Sequence, residues 1–215
     1  MKARFSEASK RWSPASLNKR EMGKVLVKPT LEEISDILSK RVKVAIHKPG
    51  LTPAGVLLLL FDKEGEYHLI FNRRTHMVEH HKGEISFPGG AKNDEDKTLL
   101  DTASRETYEE MGICREDVRI LGELDDQLTH SSGFCITPFV GALPYPYPYQ
   151  VNPVEIDEVL EVPLPFFLDE GNCKEEQIIW EGMPRTVYHY DYNGNVIYGV
   201  TAFITRQFLH LVFGH

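Results

Sequence analysis

Three carboxylates at helical spacing, Glu106, Glu109 and Glu110, are the residues of this sequence best placed to do chemistry. A helix advances about 100° per residue, so positions i, i+3 and i+4 share one face and the three side chains fall in a single arc. Carboxylates this close repel one another, and a helix selected for stability alone would not gather them. A hard divalent cation removes the repulsion, and Mg²⁺ takes carboxylate and phosphate oxygens. The competing reading is a solvated acidic face, the ordinary fate of a lone Glu-Glu pair. On the neighbouring arc, Leu100, Ala103, Thr107 and Met111 can face a core. A tight glycine turn, Pro88-Gly89-Gly90, lies upstream.

The stretch from Gly83 to Ile113 resembles the Nudix box of the Nudix hydrolases: Gly, five residues, Glu, seven residues, then Arg-Glu-U-x-Glu-Glu-x-Gly-U, where U is apolar. Arg105, Glu106, Glu109, Glu110, Gly112 and Ile113 match its second half, with Thr107 at the first U. In the first half, Asp96 follows Gly90 after five residues, and eight residues separate it from Arg105, so the loop is one residue longer. The resemblance implies an α+β Nudix fold, a mixed β-sheet sandwiched between α-helices. It also implies Glu106, Glu109 and Glu110 as ligands of Mg²⁺ or Mn²⁺, one of them doubling as base. Gly90 would let the loop backbone approach that metal without a Cβ in the way. Arg105 would orient a glutamate, with Asp101 and Glu109 each four residues away as partners on its face.

A second resemblance concerns the substrate. Ile70-Phe71-Asn72-Arg73-Arg74-Thr75, Gly83 and Phe87-Pro88-Gly89-Gly90 are similar to the extra motif of the coenzyme A pyrophosphatase subfamily. Arg74, Gly83 and Phe87 to Gly90 keep its register, whereas Glu79 stands at its second arginine and Thr75 at its Ser/Ala position. The implied reaction is metal-dependent hydrolysis of coenzyme A to 3′,5′-ADP and 4′-phosphopantetheine, with Arg74, Gly89 and Gly90 as substrate-binding residues. Two alternatives stand beside it. One is a Nudix enzyme for ADP-ribose, a nucleotide sugar or a dinucleoside polyphosphate, supported by Glu79. The other is a non-catalytic nucleotide-sensing module, which would not need all three glutamates. A homodimer is left open.

Other polar residues read more plainly. His80-His81 lack the i, i+4 spacing of a helical metal site and fit a loop surface. Arg73 and Arg74 alternate faces on a strand, so one can reach phosphate while the other is solvated. Glu155 and Glu158 lie where many Nudix enzymes place a late glutamate; a structural or surface role is the simpler reading of each. His130 and Ser131 have nothing that would fix a nucleophile triad.

The elements that must position these residues follow from the 215-residue chain, 41% hydrophobic and 26% charged, which suits a globular protein of one core. A net charge of −8 speaks against a general nucleic-acid binder. Three cysteines, Cys114, Cys135 and Cys173, without a CxxC pattern read as free thiols. The longest apolar run, Ala54–Phe61, has strand length, and the N-terminus has no apolar segment of a signal peptide; the cytoplasm is the default. Residues 1–29 read as an extension and 30–215 as a single domain.

Thr30 caps a helix through Lys40, with Glu33 at the capping-box position. Strands are expected at Ala54–Phe61, Tyr67–Arg73, just before Phe87, Val118–Leu124, Cys135–Leu143, Glu155–Val162, Thr186–Tyr192 and Val196–Val200, the last pair around Asn193-Gly194. Tyr145 to Tyr149 alternate with prolines and suggest a surface stripe or substrate wall. Thr201–Phe213 closes the chain as a helix.

Overall fold

The computed structural model describes residues 28–77, 83–129, 132–180 and 182–215. Most of the proposed N-terminal extension, with Glu79, His80, His81, His130 and Ser131, lies outside the described residues. Helix α1, Leu31–Ser39, begins as its sequence dictates: Thr30 Oγ1 accepts the Glu33 N–H, and the Glu33 carboxylate accepts the Thr30 N–H.

Strand β1, Thr52–Lys63, is the centre of the main sheet. It runs antiparallel to β2, Glu66–Arg74, and parallel to β7, Phe134–Ala142, from Thr52 opposite Phe134 to Leu60 opposite Ala142. Such a strand is covered on both faces, which is why Ala54–Phe61 is a continuous apolar run. Leu58 and Leu60 enter one core, whereas Leu57, Leu59 and Phe61 enter the other. The two-residue turn Glu64-Gly65, both at positive φ, joins β1 to β2. The sheet is completed by β3, Ile85–Ser86, and β8, Ile156–Pro163, on β2; by β4, Gly89–Ala91, on β1; and by β5, Arg119–Glu123, and β6, Gln127–Leu128, on β7.

Helix α2, Leu99–Met111, packs on the Leu57 face through Ala103 and Met111. α1 and the last helix, α4, Gly199–Phe213, pack on the Leu58 face. The result is a mixed sheet between helices, the α+β arrangement that the sequence resemblance implies. α2 lies close on β1 because Gly55 has no side chain: a Cβ there would sit 2.2 Å from the Leu99 carbonyl oxygen. Asp101 does not pair with Arg105. It closes a capping box with Thr98 and binds Arg115 at 2.6 Å, because its place in the first turn turns it toward the helix start.

A second, three-stranded antiparallel sheet follows the short helix α3, Leu164–Leu168. Its strands are β9, Cys173–Trp180, β10, Met183–Tyr192, and β11, Asn195–Tyr198. β9 is absent from the sequence reading, since Lys174-Glu175-Glu176-Gln177 shows no alternation. It forms because it pairs with β10 from Cys173 opposite Tyr190 to Trp180 opposite Met183. Gly199 and Val200, expected at a strand end, open α4 instead.

The tyrosines at 145–149 act as struts, with Tyr145 left exposed at the surface. Tyr145 stacks on Phe61 at 4.8 Å, Tyr147 Oη donates to the Asp117 carboxylate at 2.8 Å, and Tyr149 Oη donates to Glu161 at 3.2 Å. Cys114, Cys135 and Cys173 are free thiols. Among the described residues no helix is long and apolar enough to cross a membrane.

Candidate active site

The three glutamates share a helix face but sit at different depths. The Glu110 side chain is 2% exposed, Glu106 21% and Glu109 51%. Arg105 organises the outer two. Its Nη1 donates to Glu106 Oε1 at 2.7 Å and to Glu109 Oε2 at 3.0 Å. Its Nε and Nη2 hold the two oxygens of Asp96 at 3.1 and 3.0 Å, a bidentate pair. Asp96 is therefore an anchor for Arg105. An Asx turn, in which Asn93 Oδ1 accepts the Glu95 and Asp96 N–H groups, folds the lengthened loop so that Asp96 lands there. The guanidinium holds the Asp96 carboxyl far below the usual carboxylate range.

Glu110 is held from the sheet side. Its Oε2 accepts from Asn72 Nδ2 at 2.8 Å and from the Gly89 N–H at 3.2 Å, and Arg74 Nη1 lies 3.3 Å from its Oε1. Burial pushes its carboxyl up to about 8, against the Gly89 N–H and Arg74, which favour the ionised form. Burial also raises Glu106, and the charge of Glu155 raises both. The two late glutamates thus part company. The charge of Glu155 acts on both helix acids, whereas Glu158 turns away to Arg73 at 2.9 Å.

The end of α2 places Glu155. The Met111 and Glu110 carbonyls accept the Gln150 and Asn152 N–H groups at 2.8 and 2.9 Å, and Asn152 Nδ2 donates to Glu155 Oε1 at 3.1 Å. The arginine pair divides as strand alternation requires. Arg73 faces outward to Asp157 and Glu158, and Arg74 faces the site.

The glycine turn serves two ends. A Cβ on Gly89, at φ 143°, would meet the Gly55 carbonyl oxygen at 2.3 Å, so this glycine lets β4 lie on β1. A Cβ on Gly90 would fall 2.6 Å from the Glu106 carboxyl carbon, in the space beside that carboxylate. A set of hard oxygen donors, partly buried, mutually repelling and facing a backbone cleared of side chain, suits a divalent cation. Among the described residues no three acidic, histidine or cysteine side chains already converge on one point. Glu106 and Glu109 are turned onto Arg105.

A family model described as the NUDIX domain matches residues 51–142, from the start of β1 to the end of β7. The chain is 36% identical over 139 residues to a Photorhabdus laumondii protein described as the uncharacterized Nudix hydrolase NudL, covering 65% of this chain and 74% of that one. The protein of the same description from Yersinia pestis is 36% identical, with coverage of 65% and 69%. The chain belongs to the Nudix hydrolases. Among solved structures, a MutT/nudix family protein from Enterococcus faecalis is similar over 86% of this chain and 70% of that one, with 15% identity and a TM-score of 0.49.

As a Nudix hydrolase the chain is an enzyme that acts on a phosphoanhydride, in a family that generally uses divalent metal ions. The Nudix domain match spans Arg74, Gly89, Gly90, Arg105, Glu106, Glu109 and Glu110 and stops short of Glu155. Glu155, which the family resemblance points to and which reads from the sequence as structural or surface, lies near the helix acids. Asn72 is the neighbour of the site that the motif does not single out. Asn72 left one signal, an amide directly after the apolar run Leu69-Ile70-Phe71.

Proposed function

We propose that this Nudix hydrolase cleaves the pyrophosphate of coenzyme A or its derivatives to 3′,5′-ADP and 4′-phosphopantetheine. One observation carries the reading: the residues that resemble the coenzyme A motif form one structural unit. β2 and β3 pair, with the Arg74 N–H on the Glu84 carbonyl at 3.0 Å and the Gly83 N–H on the Arg74 carbonyl at 3.1 Å. Phe71 stacks on Phe87 at 4.8 Å beneath them. This hairpin delivers Arg74 and the Gly89-Gly90 turn to the same buried glutamate.

Glu106, Glu109 and Glu110, with the backbone at Gly90, would hold Mg²⁺ or Mn²⁺. When bound, the cation neutralises pyrophosphate oxygens and lowers the pKa of water. One of the three glutamates takes the proton from the attacking water. Arg105, fixed by Asp96, sets the directions of Glu106 and Glu109. Arg74 offers a planar guanidinium suited to a phosphate, and the 3′-phosphate distinguishes coenzyme A from ADP-ribose.

Glu79 in place of the motif's second arginine favours the second reading, hydrolysis of ADP-ribose, a nucleotide sugar or a dinucleoside polyphosphate. A panel of these substrates with coenzyme A and dephospho-coenzyme A, in Mg²⁺ or Mn²⁺ with products identified by mass, separates the two. A preference for coenzyme A supports the first reading; no preference over ADP-ribose overturns it.

A further inference from the structure

Asn72 occupies an unusual position. It is wholly buried in β2, on the face that carries Ile70 toward α2. Its Nδ2 donates to Glu110 Oε2 at 2.8 Å, while its Oδ1 finds no hydrogen-bond partner among the described residues. A buried, unpaired amide oxygen is destabilising, and an apolar side chain of the same shape would serve the core better. With Glu110 ionised, as a metal ligand would be, turning the amide over would set its carbonyl oxygen against the carboxylate. The residue therefore spends its one bond on that carboxylate.

We propose that Asn72 is a positioning residue for the metal site, an inference that rests on the reading of Glu110 as a ligand. Asn72 Nδ2 and the Gly89 N–H converge on Oε2, the first from β2 and the second from the glycine turn. Two donors fixed on one oxygen lock the rotation of the carboxylate. Oε1 is left facing the charged side of the site, where Arg74 now lies 3.3 Å away. Without Asn72 the Gly89 bond alone, at 3.2 Å, would leave the carboxylate free to swing. Hydrogen-bonded partners of ligands commonly set metal affinity in this way, and their loss costs about tenfold to a hundredfold.

The test measures Mn²⁺ binding by electron paramagnetic resonance, with thermal unfolding and steady-state kinetics, on the full chain and on Asn72→Leu, Asn72→Ala and Glu110→Gln. Asn72→Leu should fold, because loss of the unpaired Oδ1 offsets loss of the donor to Glu110, whose Oε2 keeps the Gly89 N–H. It should bind Mn²⁺ about tenfold or more weakly and lose kcat at saturating metal while KM stays unchanged. If Asn72→Leu does not fold, Asn72→Ala must show the same weakening of Mn²⁺. Lowered thermal stability with natural Mn²⁺ affinity in the folded Asn72 variants, and weakened binding in Glu110→Gln, would overturn the role of Asn72 alone. Natural Mn²⁺ affinity in Glu110→Gln would overturn the metal reading of Glu110, and this proposal with it.

Discussion

Arg74 and Glu110 meet across the site, Arg74 Nη1 lying 3.3 Å from Oε1, the carboxylate oxygen opposite the one that Asn72 and Gly89 hold. The Arg74 side chain is 24% exposed and that of Glu110 2%, so the arginine forms the rim and the glutamate the floor. On the proposed reading, that cation at the rim meets the anionic substrate above the acids.

Arg74→Ala should therefore lower kcat/KM for coenzyme A by about one to two decades, the worth of a charged hydrogen bond of roughly 1.5–3 kcal/mol. The loss with dephospho-coenzyme A should be much smaller. Arg74→Lys should recover little, because a point charge does not reproduce a bidentate contact. Steady-state kinetics on both substrates decides it; equal losses would remove Arg74 from recognition of the 3′-phosphate.

If Glu109 and Glu110 are ligands as proposed, Glu109→Gln and Glu110→Gln should each lower turnover by orders of magnitude while the fold survives, since a ligand charge is lost and helical propensity barely changes. Circular dichroism with turnover at saturating Mg²⁺ checks this. Near-normal activity in either variant would show that its carboxylate is not a ligand.

Adjacent glycines should fail in different ways. Gly89→Ala drives a Cβ into the backbone of Gly55 and Val56, at 2.3 and 2.6 Å, from a positive φ, and should unfold or strongly destabilise the protein. Gly90→Ala meets only the movable end of Glu106, so stability should change little while Mg²⁺-dependent activity falls about tenfold or more. Urea denaturation alongside kinetics separates them, and equal stability losses would contradict the assignment.

Two carboxylates should limit stability at opposite ends of the pH scale. Asp96 has a folded pKa below its unfolded value of about 3.9. Its contribution is fully present above that value and is lost as the pH falls through the folded one. Glu110 is raised to about 8, so its contribution is present below an unfolded pKa of about 4.3 and is lost as the pH rises through about 8. Without metal, unfolding free energy should fall between about pH 5 and 8 by a few kcal/mol at most, and Mg²⁺ should restore it. Glu110→Gln should flatten that limb, and Asp96→Asn the acid limb. Denaturant titrations across the pH range with a chelator check both, and an upper limb unchanged in Glu110→Gln would sink the assignment.

Local chemistry was legible in the sequence wherever neighbours along the chain suffice to set the outcome. The capping box at Thr30 and Glu33, the buried strand at Ala54–Phe61, the hairpin at Asn193-Gly194 and the shared face of Glu106, Glu109 and Glu110 all follow from periodicity and turn preference within a few residues. The tertiary structure decided what depends on distant partners. β9 exists because β10 pairs with it, and Asp101, held locally by the Thr98 capping box, also takes Arg115 from fourteen residues on. The depths of the three glutamates differ because the sheet covers Glu110 and leaves Glu109 in solvent. Glu155 comes near the acids through distant contacts, among them the backbone bonds that the end of α2 makes to residues 150 and 152. A helical repeat fixes direction around an axis, but burial, and with it the charge state of a carboxylate, is set by what packs against that direction.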